Sequence, residues 1–104
     1  MLANEDKFRI FTGNANPDLA REIAAYLGTT LADAVIIRFN NGEVQAMINE
    51  SVRGKDVFIV QPTCGPVVND NVMELRIMAD AFKRASANHI IAVIPFYGYS
   101  RHDR

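Results

Sequence analysis

The sequence predicts an α/β domain: a mainly parallel sheet flanked by helices, with one short antiparallel hairpin. Three observations lead there. Strand-like segments alternate with segments of helical periodicity along the chain. Two of the strands, 56–61 and 90–94, are near-continuous apolar runs, the pattern of strands covered on both faces in parallel sheets. One strand pair is divided by Asn40-Asn41-Gly42, residues that tolerate positive φ and mark a tight reversal.

The elements follow in order. Lys7 to Thr12 alternates polar and apolar residues and reads as the first strand. Gly13 to Asn16 is turn chemistry. Asn16 is suited to cap a helix, and Pro17 to begin it, because proline lacks the amide hydrogen that a first turn leaves unpaired. Leu19, Ile23, Tyr26 and Leu27 recur on one helical face, and Gly28 stands where a left-handed terminator is wanted. A second strand is expected over 34–39, with the hairpin returning over 43–48. The hairpin is expected to be of the two-residue, doubly positive-φ kind. Residues 51–55 form a loop before the strand at 56–61, and 62–71 form a second, polar loop. The longest helix is expected from Asn71, with Glu74 three residues on completing a capping box. Leu75, Met78, Ala79 and Phe82 make its apolar stripe, and the last strand is 90–94.

Bulk properties narrow the class. With 104 residues the chain is one domain, long enough for a core without staples. Hydrophobic residues at 49% and charged residues at 22% are ordinary for a globular protein. A net charge of -1 gives no bulk attraction to nucleic acid or to membranes. The lone cysteine, Cys64, cannot form an internal disulfide, which fits a reducing compartment. No apolar run reaches the length of about 20 residues that a membrane helix needs, and the polar start lacks the core of a signal peptide. A cytoplasmic location is expected.

Ligands of open α/β sheets bind beyond the carboxyl ends of the strands, so the loops 13–16, 61–71 and 95–104 are candidates. Pro95 to Arg104 holds three aromatic rings and ends Arg101-His102-Asp103-Arg104. It reads either as a phosphate-gripping loop, its arginines making bidentate contacts, or as a solvated terminus. At the hairpin, Phe39 could stack on a base while Asn41 and Glu43 hydrogen-bond an amine or a ribose hydroxyl; by residue chemistry alone a plain hairpin with a half-buried Phe is the favoured reading. His89 reads as structural, Cys64 as a loop thiol, and Met47, Met73 and Met78 as core filler. Neither GxGxxG nor a Walker A motif occurs, and no paired His or Cys has metal spacing.

Several long segments in series resemble the ribose-phosphate pyrophosphokinase family: FTGNANPDLA at 11–20, RFNNGE at 38–43, INESVRGKDVFIVQPTC at 48–64, NDNVMEL at 69–75, IMADAFKRASA at 77–87 and AVIPFYGYSRHDR at 92–104. The resemblance implies a phosphoribosyltransferase-like fold. It also implies an enzyme that transfers pyrophosphate from ATP to ribose 5-phosphate with Mg²⁺, making phosphoribosyl pyrophosphate for nucleotide biosynthesis. Carried over by motif, Phe39 stacks on adenine, Asn41 and Glu43 bind the adenine and ribose side of ATP, and Gly42 shapes the hairpin. Arg101 and His102 meet the nucleotide from the strand-end loop. Ser51 and Arg53, with Ala85 and Ser86, match a regulatory phosphate or ADP site. A homo-oligomer is implied, a hexamer built from dimers in which one subunit's hairpin completes its neighbour's ATP site.

Two positions depart from the commoner pattern: Asn41 stands where bacterial members often have Asp, and His102 where Gln is common. An extra Val lies near Val67–Val68 and is expected to alter the loop alone. The sequence ends before the family's catalytic loop, its metal-binding His motif and its ribose-phosphate loop. The expectation is therefore a single, partial amino-terminal domain over 1–104, with no catalytic and no metal-binding residue in the segment. Part of the ATP site is present, activity alone is slight, and the Mg²⁺ ligands lie outside it. The alternative is a non-catalytic, synthetase-associated regulatory subunit. A phosphoribosyltransferase of the wider fold would need an acidic pair followed by a Thr/Gly loop, and none is present.

Overall fold

Residues 7–63 and 68–95 are described by a computed structural model of the chain. The elements run β1 (Phe8–Thr12), α1 (Pro17–Tyr26), β2 (Ala34–Arg38), β3 (Val44–Ile48), β4 (Asp56–Val60), α2 (Val68–Arg84) and β5 (His89–Val93). Strands β1, β4 and β5 form a parallel sheet with β4 in the middle, and β2 and β3 form a separate antiparallel pair. The α/β class expected from the sequence is the one observed.

Alternation along the strands sorts the core into two layers. Phe11, Val57 and Ile59 point to one side, where Met78 and Phe82 of α2 and Ala46 and Ile48 of β3 meet them. The rings of Phe11 and Phe82 lie 4.6 Å apart, tilted at 47°. Ile10 and Val60 point to the other side, against Ala20 and Ala24 of α1. Residue β4 Phe58 belongs to that second side and meets Phe8 edge-on at 6.0 Å.

α1 begins and ends as its sequence predicts. Asn16 Oδ1 accepts from the Leu19 amide at 3.1 Å, Pro17 opens the helix, and Gly28 follows the cap at φ +82°. Its buried face differs from the expectation. Ala20 and Ala24 face β1, where small side chains let the helix approach closely, and Tyr26 is 91% exposed.

Three further expectations are corrected. α2 begins at Val68, so Asn71 and Glu74 are not a capping box; both lie inside the helix and are buried. The hairpin turn has positive φ at Gly42 alone, with Gly42 N–H donating to Phe39 O and Phe39 N–H to Glu43 O. That is a three-residue loop closed by a left-handed glycine, because Asn40 and Asn41 keep the negative φ that side chains prefer. Among the described residues β5 is the outermost strand on its side of the sheet, and Ile91 is exposed on the α1 side, where no described helix covers it. Met47 and Met73 are likewise exposed, leaving Met78 as the core methionine of the three. On this same side an apolar cleft of about 290 Å³ opens between α1 and the sheet, lined by Phe8, Ile23, Phe58 and Val93 among others.

Phe82 joins α2 to the sheet with no exposed surface. Phe82→Ala is expected to cost about 3–5 kcal/mol of stability, measured by urea unfolding.

Candidate functional site

At the carboxyl ends of β1 and β4 the chain buries a carboxylate. Glu74, on the second turn of α2, is 0% exposed. A buried charge is costly unless it is paired and hydrogen-bonded. Here four nitrogen donors meet it. Arg38 Nη2 lies 2.6 Å from Oε2. The Asn14 main-chain N–H donates to Oε1 at 2.9 Å and its Nδ2 to Oε2 at 3.1 Å. Gln61 Nε2 donates to Oε1 at 3.1 Å.

Gln61 is equally buried and knits the surrounding loops. Its Nε2 also donates to Asn71 O at 3.2 Å, and its Oε1 accepts from the Ala15 amide at 3.2 Å. Gly13 makes this possible: a Cβ there would overlap the Gln61 carboxamide. The glycine serves close approach, not a positive φ. So the loop after β1, the end of β4 and the start of the hairpin turn converge on one carboxylate. Two of the three candidate loops, 13–16 and 61–71, are thereby brought together; of the third, Pro95 alone is described.

The hairpin stands beside this network. Phe39, the residue after Arg38, is 45% exposed. Asn41 Oδ1 accepts from the Glu43 amide at 3.0 Å, which braces the turn. An aspartate oxygen could accept the same bond, so Asn41 keeps the turn despite its departure from the commoner pattern. Phe39, Asn41, Gly42 and Glu43 thus share one exposed turn. At the hairpin's other end Glu50 accepts from Arg9 Nε at 3.3 Å and from the Asp33 amide at 2.7 Å. Both ends of the strand pair are therefore tied down. Arg101, His102 and Cys64 lie outside the described residues.

The second group of candidates gathers at the opposite end of α2. Gly54 N–H donates to Ser86 O at 2.9 Å, and Asn88 N–H to Lys55 O at 2.7 Å. These bonds place the loop carrying Ser51 and Arg53 against the one carrying Ala85 and Ser86, with all four residues exposed. Ser86 takes φ +68°, a left-handed conformation that a serine adopts at some cost. His89 belongs to a surface cluster here, its Nδ1 2.9 Å from Asp56 Oδ1.

Among the described residues, no three His, Cys, Asp or Glu side chains come together in a way that could hold a metal ion. These residues do not make a Mg²⁺ site. No described helix is long and apolar enough to cross a membrane.

The sequence reading passed over Arg38, Asn14 and Gln61 and misplaced Glu74. A signal was present. Asn71, Glu74, Met78 and Phe82 share one helical face, so a carboxylate was placed in line with the core stripe.

A parallel α/β sheet with polar loops locked together at its strand ends is an open-sheet domain, a class whose members bind ligands beyond the carboxyl ends of the strands. The chain belongs to the family of N-terminal domains of ribose phosphate pyrophosphokinase, whose model matches residues 8–104. A ribose-phosphate pyrophosphokinase of Wolinella succinogenes is 60% identical over 97 residues, 93% of this chain and 31% of that protein. One from Caldanaerobacter subterraneus subsp. tengcongensis is 60% identical over 104 residues, all of this chain and 33% of that protein. In structure, the phosphoribosylpyrophosphate synthetase of Mycobacterium smegmatis superposes with a TM-score of 0.82 at 41% identity, over 94% of this chain and 33% of that one. The chain thus spans about a third of the length of these relatives.

Two outcomes are expected from variants. Glu74→Ala leaves buried donors unpaired and should cost about 3 kcal/mol in urea unfolding, with Glu74→Gln costing less because an acceptor remains. The hydrogen bond with His89, then that with Asn88, holds the Asp56 carboxyl below its ordinary value. A lowered folded value gives stability that is present above about pH 4 and lost as pH falls through it. Unfolding midpoints of Asp56→Asn should therefore fall less steeply in acid than those of the parent.

Proposed function

We propose that the chain is the ATP-holding part of a ribose-phosphate diphosphokinase, which transfers the pyrophosphoryl group of ATP to the anomeric hydroxyl of ribose 5-phosphate and releases AMP. The observation that carries this reading is Phe39: an aromatic ring 45% exposed, on a braced turn, in a chain 60% identical to proteins named for this activity. Adenine stacks on Phe39, and Asn41 and Glu43 contact the adenine and ribose side. Asn41 Oδ1 is engaged by the turn, so its Nδ2 is the group left for the nucleotide. By the same resemblance Arg101 and His102, which follow β5 in the sequence, also contact the nucleotide.

Pyrophosphoryl transfer depends on positioning and on neutralising phosphate charge. This segment contributes the positioning of the adenosine end. Mg²⁺, which neutralises the phosphates, is held by the remainder of the enzyme together with the pentose. The product feeds nucleotide biosynthesis in the cytoplasm.

The reading includes an assembly. Val35 and Met47 are register partners on the outer face of the hairpin, and both are exposed. An apolar pair so placed suits contact with a second copy, in a homo-oligomer of the family's hexameric kind, where the turn of one subunit completes the site of the next. Arg53 and Ser51, with Ala85 and Ser86 beside them, form the regulatory phosphate or ADP site, an anion-binding chemistry of guanidinium and hydroxyl, since the Ala85 and Ser86 amides are already bonded to carbonyls of α2.

Calorimetric titration with ATP tests the reading. Saturable binding is expected, weakened about tenfold in Phe39→Ala, in line with roughly 1–3 kcal/mol for a base–aromatic stack. A folded protein that binds no ATP, or binds it equally well without the Phe39 ring, would contradict it.

A further inference from the structure

We propose that Arg38 and Glu74 form a latch that sets the angle of the 39–43 turn, making both positioning residues for the nucleotide; this rests on reading the hairpin as an ATP subsite. The turn is rigid within itself. Phe39 N–H donates to Glu43 O, Gly42 N–H to Phe39 O, and Asn41 Oδ1 takes the Glu43 amide. Such a unit moves as a whole, and its direction is decided by what holds its neighbours in the chain.

The strand pair shares no ladder with the parallel sheet. At the turn end the hold is Arg38, the residue directly before Phe39. Its Nη2 lies 2.6 Å from Glu74 Oε2 and 3.4 Å from Asp70 O, and its Nη1 lies 3.7 Å from Asp70 Oδ2. The guanidinium fork thus spans one turn of α2. A planar fork fixes direction as well as distance, which a point charge does not.

The receiving end is held from several sides. Glu74 is buried and already held by Asn14 and Gln61, which belong to the loop after β1 and to the end of β4. Arg38 is therefore bound to a point fixed relative to the sheet. A plain solvated ion pair would pass no orientation to the turn, since its partners are free to rearrange. The same carboxylate takes the Asn14 main-chain N–H, so the hairpin and the loop 13–16 share one anchor.

The test compares Arg38→Met, which keeps the stem and removes the fork, with Arg38→Lys and with Phe39→Ala. Two quantities are measured: backbone order parameters for residues 39–43 and ATP affinity. In the parent these order parameters should be near the rigid value of about 0.85, and in Arg38→Met they should fall towards about 0.6, while those of β4 stay put. ATP affinity should fall about tenfold in Arg38→Met, and Arg38→Lys should recover part of it, since charge returns without the fork. Should Arg38→Met fail to fold, Arg38→Lys carries the test: reduced order in 39–43 and weaker ATP binding are expected, and parental values of either overturn the latch. Unchanged order in a folded Arg38→Met overturns it too. So does parental ATP affinity in Arg38→Met beside a loss in Phe39→Ala, an outcome that leaves the ATP subsite standing. Absence of ATP binding in the parent removes the subsite, and the positioning role with it.

Discussion

A carboxylate with no exposed surface, on a helix that packs mainly through apolar residues, is the constraint around which the site end of this domain is organised. An unpaired charge in that place would be costly enough to threaten a fold whose net stability is about 5–15 kcal/mol. Its donors come from three separate places in the chain: Asn14 after β1, Gln61 after β4, and Arg38 at the end of β2. Folding must bring all three together, so satisfying Glu74 sets the relative positions of the loops. Gly13 follows from the same demand, since any side chain there would displace Gln61. Stability and site geometry are in this sense one arrangement.

The strand pair depends on that arrangement. Apart from packing of its inward face on α2 and the core, it is tied by an ionic contact at each end: Arg38 to Glu74 near the turn, and Arg9 to Glu50 near its base. An element that stands off the main sheet and still holds a fixed direction is suited to presenting a ring to a ligand. The helix that receives the turn also leads to the loops at its far end. Glu74 and Arg84, the last residue of α2, lie ten residues apart, about 15 Å along the helix axis, with Ala85 and Ser86 directly after. The proposed nucleotide and anion sites are thereby placed at opposite ends of one rigid rod.

Much of the fold was legible in the residues because it rests on local rules. The Asn16–Pro17 start of α1, the Gly28 stop, the Leu75–Met78–Phe82 stripe and the apolar β4 all behave as their types and spacings require. What was not legible depends on distant partners. Glu74 three residues after Asn71 has the local form of a capping box, and no local rule says that Arg38 lies across from it. Tyr26 shares a helical face with Ile23, yet the alanines facing β1 decide which side is buried. For the turn, the residues carrying the resemblance stand out in the sequence, while the Arg38 fork beside them does not. Its partners, Asp70 and Glu74, are set by the fold and not by a motif.

The most direct measurement of the central claim is a double-mutant cycle on stability, combining Arg38→Met with Glu74→Gln. If the two side chains act as one latch, the losses should be non-additive, with a coupling of about 1 kcal/mol or more. Additive losses would show that Arg38 and Glu74 act separately, and that the buried carboxylate does not hold the hairpin.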